Sequence, residues 1–135
     1  MPLLTWNETM MLGIQSVDNQ HQRWIELIND LHDAMQQGKG GEAVNRTLVS
    51  ILDYTHVHFR HEECLLLQHS YPGYTQHKQL HDGFINKIND LQNRLQKGDI
   101  LLSMELMKSL RDWLINHIQS VDRQYAPFLK QKGVV

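Results

Sequence analysis

Residues 74–97 read YTQHKQLHDGFINKINDLQNRLQK, and this stretch decides the fold. Leu80, Phe84, Ile88, Leu91 and Leu95 recur at intervals of three and four, the spacing of one face of an α-helix. His77 and His81 come before Phe84 at the same spacing. Two imidazoles therefore continue an apolar stripe toward the core. Pro72-Gly73 turns the chain just ahead of the stretch. Gly98, just after it, is placed to close the helix with a left-handed cap. The pattern predicts a helix from Tyr74 to Lys97.

The same periodicity extends outward on both sides, broken at Gly38-Lys39-Gly40-Gly41, Ser70-Tyr71-Pro72-Gly73 and Gly98-Asp99. A first helix is predicted from Asn19 to Gln37. Asp18 caps its N-terminus, and Trp24, Ile25, Ile28, Leu31 and Met35 face inward. A second is predicted from Glu42 to Gln68, burying Val44, Leu48, Ile51, Leu52, Thr55 and Phe59. A fourth runs from Ser103 to Val121 with Leu106, Leu110, Trp113, Leu114 and Ile118 inward. Residues 1–17 read as an arm anchored by Trp6 and Ile14, and Tyr125 to Gln131 as a short helical tail. Met10, Met11, Met35, Met104 and Met107 read as core filler. Four amphipathic helices on short connections predict an all-α, up-down-up-down antiparallel four-helix bundle with an N-terminal arm and a C-terminal tail helix. At 135 residues the expectation is one domain, 1–135.

Composition narrows the function classes. The net charge is −2, without the clustered Lys and Arg of a nucleic-acid footprint. No stretch approaches the ~20 apolar residues that span a bilayer. Met1-Pro2-Leu3-Leu4-Thr5-Trp6 lacks the basic and apolar regions of a secretory signal. One cysteine forms no internal disulfide and suits a reducing compartment. The expectation is a cytoplasmic monomer that binds neither nucleic acid nor membrane.

Histidine supplies 9 of the 135 residues, and five of the nine fall into a grammar with two carboxylates. The pattern is a lone His21, then His58-xxx-Glu62, His77-xxx-His81 and His117-xxxx-Asp122. His21 lies near the start of the first helix, and His58 and Glu62 near the end of the second. His77 and His81 begin the third, and His117 ends the fourth. In an antiparallel bundle those four places share one end. Residues four apart also share a helix face. His117 and Asp122 do not. Five residues advance ~500°, leaving the two side chains ~140° apart on a regular helix. A wide turn must bring Asp122 around. Seven ligands exceed the four of a tetrahedral zinc site. Imidazoles with bridging carboxylates fit two irons or two manganese ions in a bundle. A set rich in neutral nitrogen stabilises high-valent iron less than a carboxylate-rich set, which favours O2 binding over O2 activation. His32, His56 and His69 read as surface or structural residues, and Cys64 as packed or half-exposed. His61 reads as a solvated neighbour of the ligand face, with support of a ligand from behind as the alternative, and Glu63 as a solvated neighbour.

Several stretches together resemble the hemerythrin family, in its bacterial form. They are Asp18-Asn19-Gln20-His21, His58-Phe59-Arg60-His61-Glu62-Glu63 and Tyr71-Pro72-Gly73 with His77 and His81. To these add Trp113-Leu114-Ile115-Asn116-His117 through Asp122 and Tyr125, and Trp6 in the arm. The resemblance implies two iron ions, Fe2+ or Fe3+, joined by an oxo or hydroxo bridge. It implies His77, His81 and His117 on one iron, His21 and His58 on the other, and Glu62 and Asp122 bridging both. The two-histidine iron keeps an open position for O2, with Trp113 and Leu114 lining that pocket. The implied function is reversible O2 binding for storage, delivery or scavenging, without an enzymatic activity. An O2 or redox sensor acting through a partner protein is the alternative, and a di-iron peroxidase or oxidase ranks below it.

Overall fold

A computed structural model describes residues 3–38, 41–96 and 102–135, with side chains from 44 to 94 and from 105 onward in the last two segments. The chain enters through an extended arm with one 3-10 turn, Glu8–Met10, capped by the Asn7 side chain accepting from the Thr9 N–H. Helices α1 (Gln15–Gln36), α2 (Gly41–Gln68), α3 (Tyr74–Gln96) and α4 (Leu102–Asn116) follow. A π-helical turn, His117–Asp122, then leads into α5 (Arg123–Gln131). Helix α1 packs on α2 and α4, and α3 packs on α2 and α4, which closes the four into a bundle. No helix among the described residues is long and apolar enough to cross a membrane.

Two hydrophobic clusters hold this together. The larger runs down the bundle axis through Trp24, Ile28, Leu48, Phe59, Phe84, Ile88, Leu110 and Leu114. Each fully buried Leu or Ile there contributes about 1.5–3 kcal/mol of transfer free energy. The smaller joins Leu12, Ile14 and Val17 of the arm and α1 to Leu66 of α2 and to Tyr125, Ala126 and Leu129 of α5. It covers one end of the bundle. Polar contacts hold the arm to the bundle as well. Leu4 and Asn29 exchange two hydrogen bonds of 2.9 Å. Arg123 donates to the carbonyls of Thr9 and Met11, and the Gln119 amide donates to the Thr9 hydroxyl at 2.8 Å.

Several details differ from the sequence reading. Helix α1 begins at Gln15, one turn earlier than expected, because Ile14 and Val17 are drawn into the smaller cluster. Asp18 is therefore inside the helix rather than its cap. Its carboxylate accepts from the backbone N–H groups of Leu12 and Gly13 at 2.9 and 3.0 Å and ties the arm to the helix. Leu80 is 45% exposed, not core. It lies one residue, ~100°, off the stripe that His77, His81, Phe84 and Ile88 occupy. Met11 is 51% exposed, whereas Met10 and Met107 are buried as core filler. Gly98 and the side chains of Leu95 and Met104 lie outside the described residues. The turn between α2 and α3 does use its glycine. A Cβ on Gly73 would sit 2.7 Å from the Tyr71 ring, so the bare backbone lets that ring pack against Tyr125 and Phe128.

Candidate metal centre

All seven sequence-predicted ligands meet between the two clusters, and all are buried. Every histidine turns Nε2 inward. His58 Nε2 lies 3.0 Å from Glu62 Oε2, and His21 Nε2 lies 3.8 Å from that same oxygen. Glu62 Oε1 faces the other way, toward Nε2 of His77 and, at 3.2 Å, of His81. Asp122 divides in the same fashion. Its Oδ2 is 3.1 Å from His21, and its Oδ1 is 3.1 Å from His77 and 2.9 Å from His117. Each carboxylate thus presents one oxygen to a two-histidine group and the other to a three-histidine group. Two sets of atoms within 4.8 Å of one another result: His21, His58, Glu62 and Asp122, and Glu62, His77, His81, His117 and Asp122.

The π-helical turn makes the second set possible. With i→i+5 bonding each residue turns roughly 80°, so five steps return to within roughly 40° of the start. His117 and Asp122 then point the same way, as the sequence required of a wide turn.

Electrostatics show what the cage needs. Burial opposes ionisation of Glu62, yet the imidazoles of His58, His21 and His77 prevail and hold it well below the usual carboxylate range. Burial and the charge of Glu62 push Asp122 up, but His117 and His21 outweigh them and its pKa is lowered too. Burial pulls His21 and His77 down, while Asp122 and Glu62 pull both the other way, to about 9. His58 stays lowered, because burial wins there. In the metal-free cage, protons on two imidazoles supply the positive charge that two buried carboxylates demand. A cation would supply it better. His21 Nε2, His58 Nε2, Glu62 Oε2 and both oxygens of Asp122 are buried without a hydrogen-bond partner among the described residues. Each such atom costs about 1–3 kcal/mol if left so. Within each of the two sets the ligand atoms converge to within 4.8 Å of one another, which is the disposition of metal ligands.

Aromatic rings wall the cage. Phe59 stacks on His81 at 3.6 Å and Trp113 on His117 at 4.2 Å. Trp24 lies 5.3 Å from His58, and Tyr125 covers His77 from the far side at 5.4 Å. Leu114 is fully buried three residues before His117, and Trp113 is half-buried. Two residues behind the histidines were misread or passed over in the sequence. Glu63 is not a solvated neighbour: its carboxylate accepts from His81 Nδ1 at 2.7 Å. Gln20 accepts from His58 Nδ1 at 2.7 Å. Their adjacency to Glu62 and His21 was the available signal. His61 contacts the Ser16 hydroxyl at 3.0 Å, and Cys64 is exposed.

A family model described as the hemerythrin HHE cation binding domain matches residues 12–129. The chain belongs to the hemerythrin family. It is 40% identical over 122 residues to a bacteriohemerythrin of Pseudomonas aeruginosa, covering 90% of this chain and 78% of that one. It is 32% identical over 130 residues to a bacteriohemerythrin of Methylococcus capsulatus, covering 96% and 98%. Among solved structures, a wild-type hemerythrin crystal structure superposes with a TM-score of 0.86 at 30% identity, covering 94% of this chain and 98% of that one. The hemerythrin fold places the convergent cage at one end of the bundle, as the helix polarity required.

Proposed function

We propose that this protein binds O2 reversibly at a di-iron centre held by the seven buried ligands. The observation that carries the reading is the division of Glu62 and Asp122, one oxygen to each histidine group. Carboxylates disposed in that way bridge two ions. His77, His81 and His117 would saturate one iron. His21 and His58 would hold the other and leave it a free position. The iron pair, when bound, supplies two electrons that can be lent to O2 and taken back. The protein's own part is to keep that exchange reversible. Leu114 and Trp113 line the approach and offer no acidic proton, and Phe59, Trp24 and Tyr125 exclude water from the remaining sides. Five neutral imidazoles against two carboxylates keep the cage from favouring highly oxidised iron, and this supports a binding protein rather than an enzyme. The single free cysteine suits a monomer working in the reducing cytoplasm.

The test is an optical spectrum of the reduced, iron-loaded protein before air, after air and after argon. The expected result is two irons per chain and a coloured oxygenated form that disappears under argon with no added reductant. Irreversible oxidation on the first exposure, or one metal per chain, would overturn the reading.

A further inference from the structure

With Nε2 of each imidazole turned into the cage, Nδ1 is left to be held from behind. The structure holds two of them differently. His58 Nδ1–H donates to the neutral side-chain carbonyl of Gln20, and His81 Nδ1–H donates to the carboxylate of Glu63. Both bonds are 2.7 Å, so both fix the ring equally well. They differ by a full charge at the acceptor. A carboxylate behind an imidazole draws its proton outward and raises electron density at the metal-binding nitrogen. An amide oxygen orients the ring and does little more. The Glu63 side chain is 17% exposed, and its Oε1 lies 3.6 Å from the Lys78 ammonium at the surface.

We propose that Glu63 makes the three-histidine subsite the tighter half of the pair, the first filled and the last emptied, while Gln20 leaves the two-histidine subsite the weaker half. The inference rests on the two-metal reading above. It makes Glu63 a positioning residue with an electronic role, acting through His81. The consequence is an ordered assembly in which the closed subsite forms first and the subsite with the free position forms on it.

Glu63→Gln separates charge from orientation, because glutamine still accepts from Nδ1 but carries no charge. Metal-free protein would be titrated with Co2+, whose ligand-field bands report each addition without any O2 chemistry. The parent should take up two ions in two resolved steps. His21→Ala should delete the weaker step and keep the tighter one. Glu63→Gln should weaken the tighter step about 10–100-fold and leave the other within a few-fold, the usual size of an outer-ligand effect. The reciprocal Gln20→Glu should strengthen the weaker step and narrow the gap. Lys78→Met, with Lys78 44% exposed, should alter neither. If Glu63→Gln and Gln20→Glu both leave the two steps as in the parent, only orientation matters and the proposal is wrong. It is equally wrong if Lys78→Met alone reproduces the loss, or if His21→Ala removes the tighter step. A parent that takes up fewer than two Co2+ would instead refute the two-metal reading and remove the proposal with it.

Discussion

At the scale of single residues, side chains next to the ligands decide how long an oxygenated centre would last. Leu114 is the clearest case. It is fully buried in the larger cluster, three residues from His117, and carries no group that can donate a proton. An amide in its place brings both a donor and water. Leu114→Asn should therefore shorten the life of the oxygenated protein by tenfold or more, which needs only about 1.4 kcal/mol off the barrier. Leu114→Ala should act in the same direction through the space it opens, and should also cost about 2–5 kcal/mol of stability. Decay of the oxygenated absorption at fixed pH checks this, with iron content measured in parallel. Unchanged decay in both variants, at parental iron content, would show that Leu114 does not guard the O2 position.

At the scale of elements, the device that matters is the π-helical turn. On a regular helix His117 and Asp122 diverge by ~140°, so the cage exists only while this turn stays wide. Its outer face is strapped to the N-terminal arm through Arg123 and Gln119, which bond to Thr9 and Met11. Removing the strap should let the turn relax toward ordinary helix and carry Asp122 away. Arg123→Ala should speed iron release to a chelator. It should also lower Tm by a few degrees, as expected for loss of about 0.5–1.5 kcal/mol of hydrogen bonding. Arg111→Ala, which breaks only a surface pair with Asp112, serves as the control and should change neither. Parental iron release from the Arg123 variant would mean that the strap does not hold the turn. The need for a wide turn was legible in the sequence, because five-residue spacing cannot share a face. Helix polarity and the seven ligands were legible for the same kind of reason: periodicity and antiparallel order place them. What was not legible depends on contacts between elements. Asp18 looked like a cap because nothing local shows that the arm folds back to offer two N–H groups. Leu80 looked buried because a Leu at helical spacing from Phe84 satisfies the pattern, although the histidines own that face. Glu63 looked solvated because its partner lies 18 residues away on another helix.

At the scale of the whole molecule, folding and metal binding compete for the same imidazoles with opposite dependence on pH. In the metal-free protein, His21 and His77 are raised to about 9 by the buried carboxylates they face, against an unfolded value near ~6.5. Between those values the folded chain holds protons that the unfolded chain has released, so stability must fall as pH rises. The contribution is complete below pH ~6.5 and is lost as pH passes through about 9, where Glu62 and Asp122 are left buried with no positive partner. His58 does not disturb this window: its pKa is lowered by burial, so its opposing contribution lies below its unfolded value. The depressed carboxylates act lower still, where their protonation withdraws support as pH falls. Iron reverses the sign. It takes the place of the protons and requires neutral imidazole, so the apparent affinity rises with pH and acid should strip the centre. The expected outcome is a metal-free Tm that declines from pH 6.5 to 9 while the iron-loaded Tm holds or rises, so that the gap between them widens steadily. Paired thermal melts across that range, with iron content measured at each pH, check it. Parallel curves with a constant gap would mean that the cage carries no compensating protons, and that the convergence of its ligand atoms is satisfied in some other way.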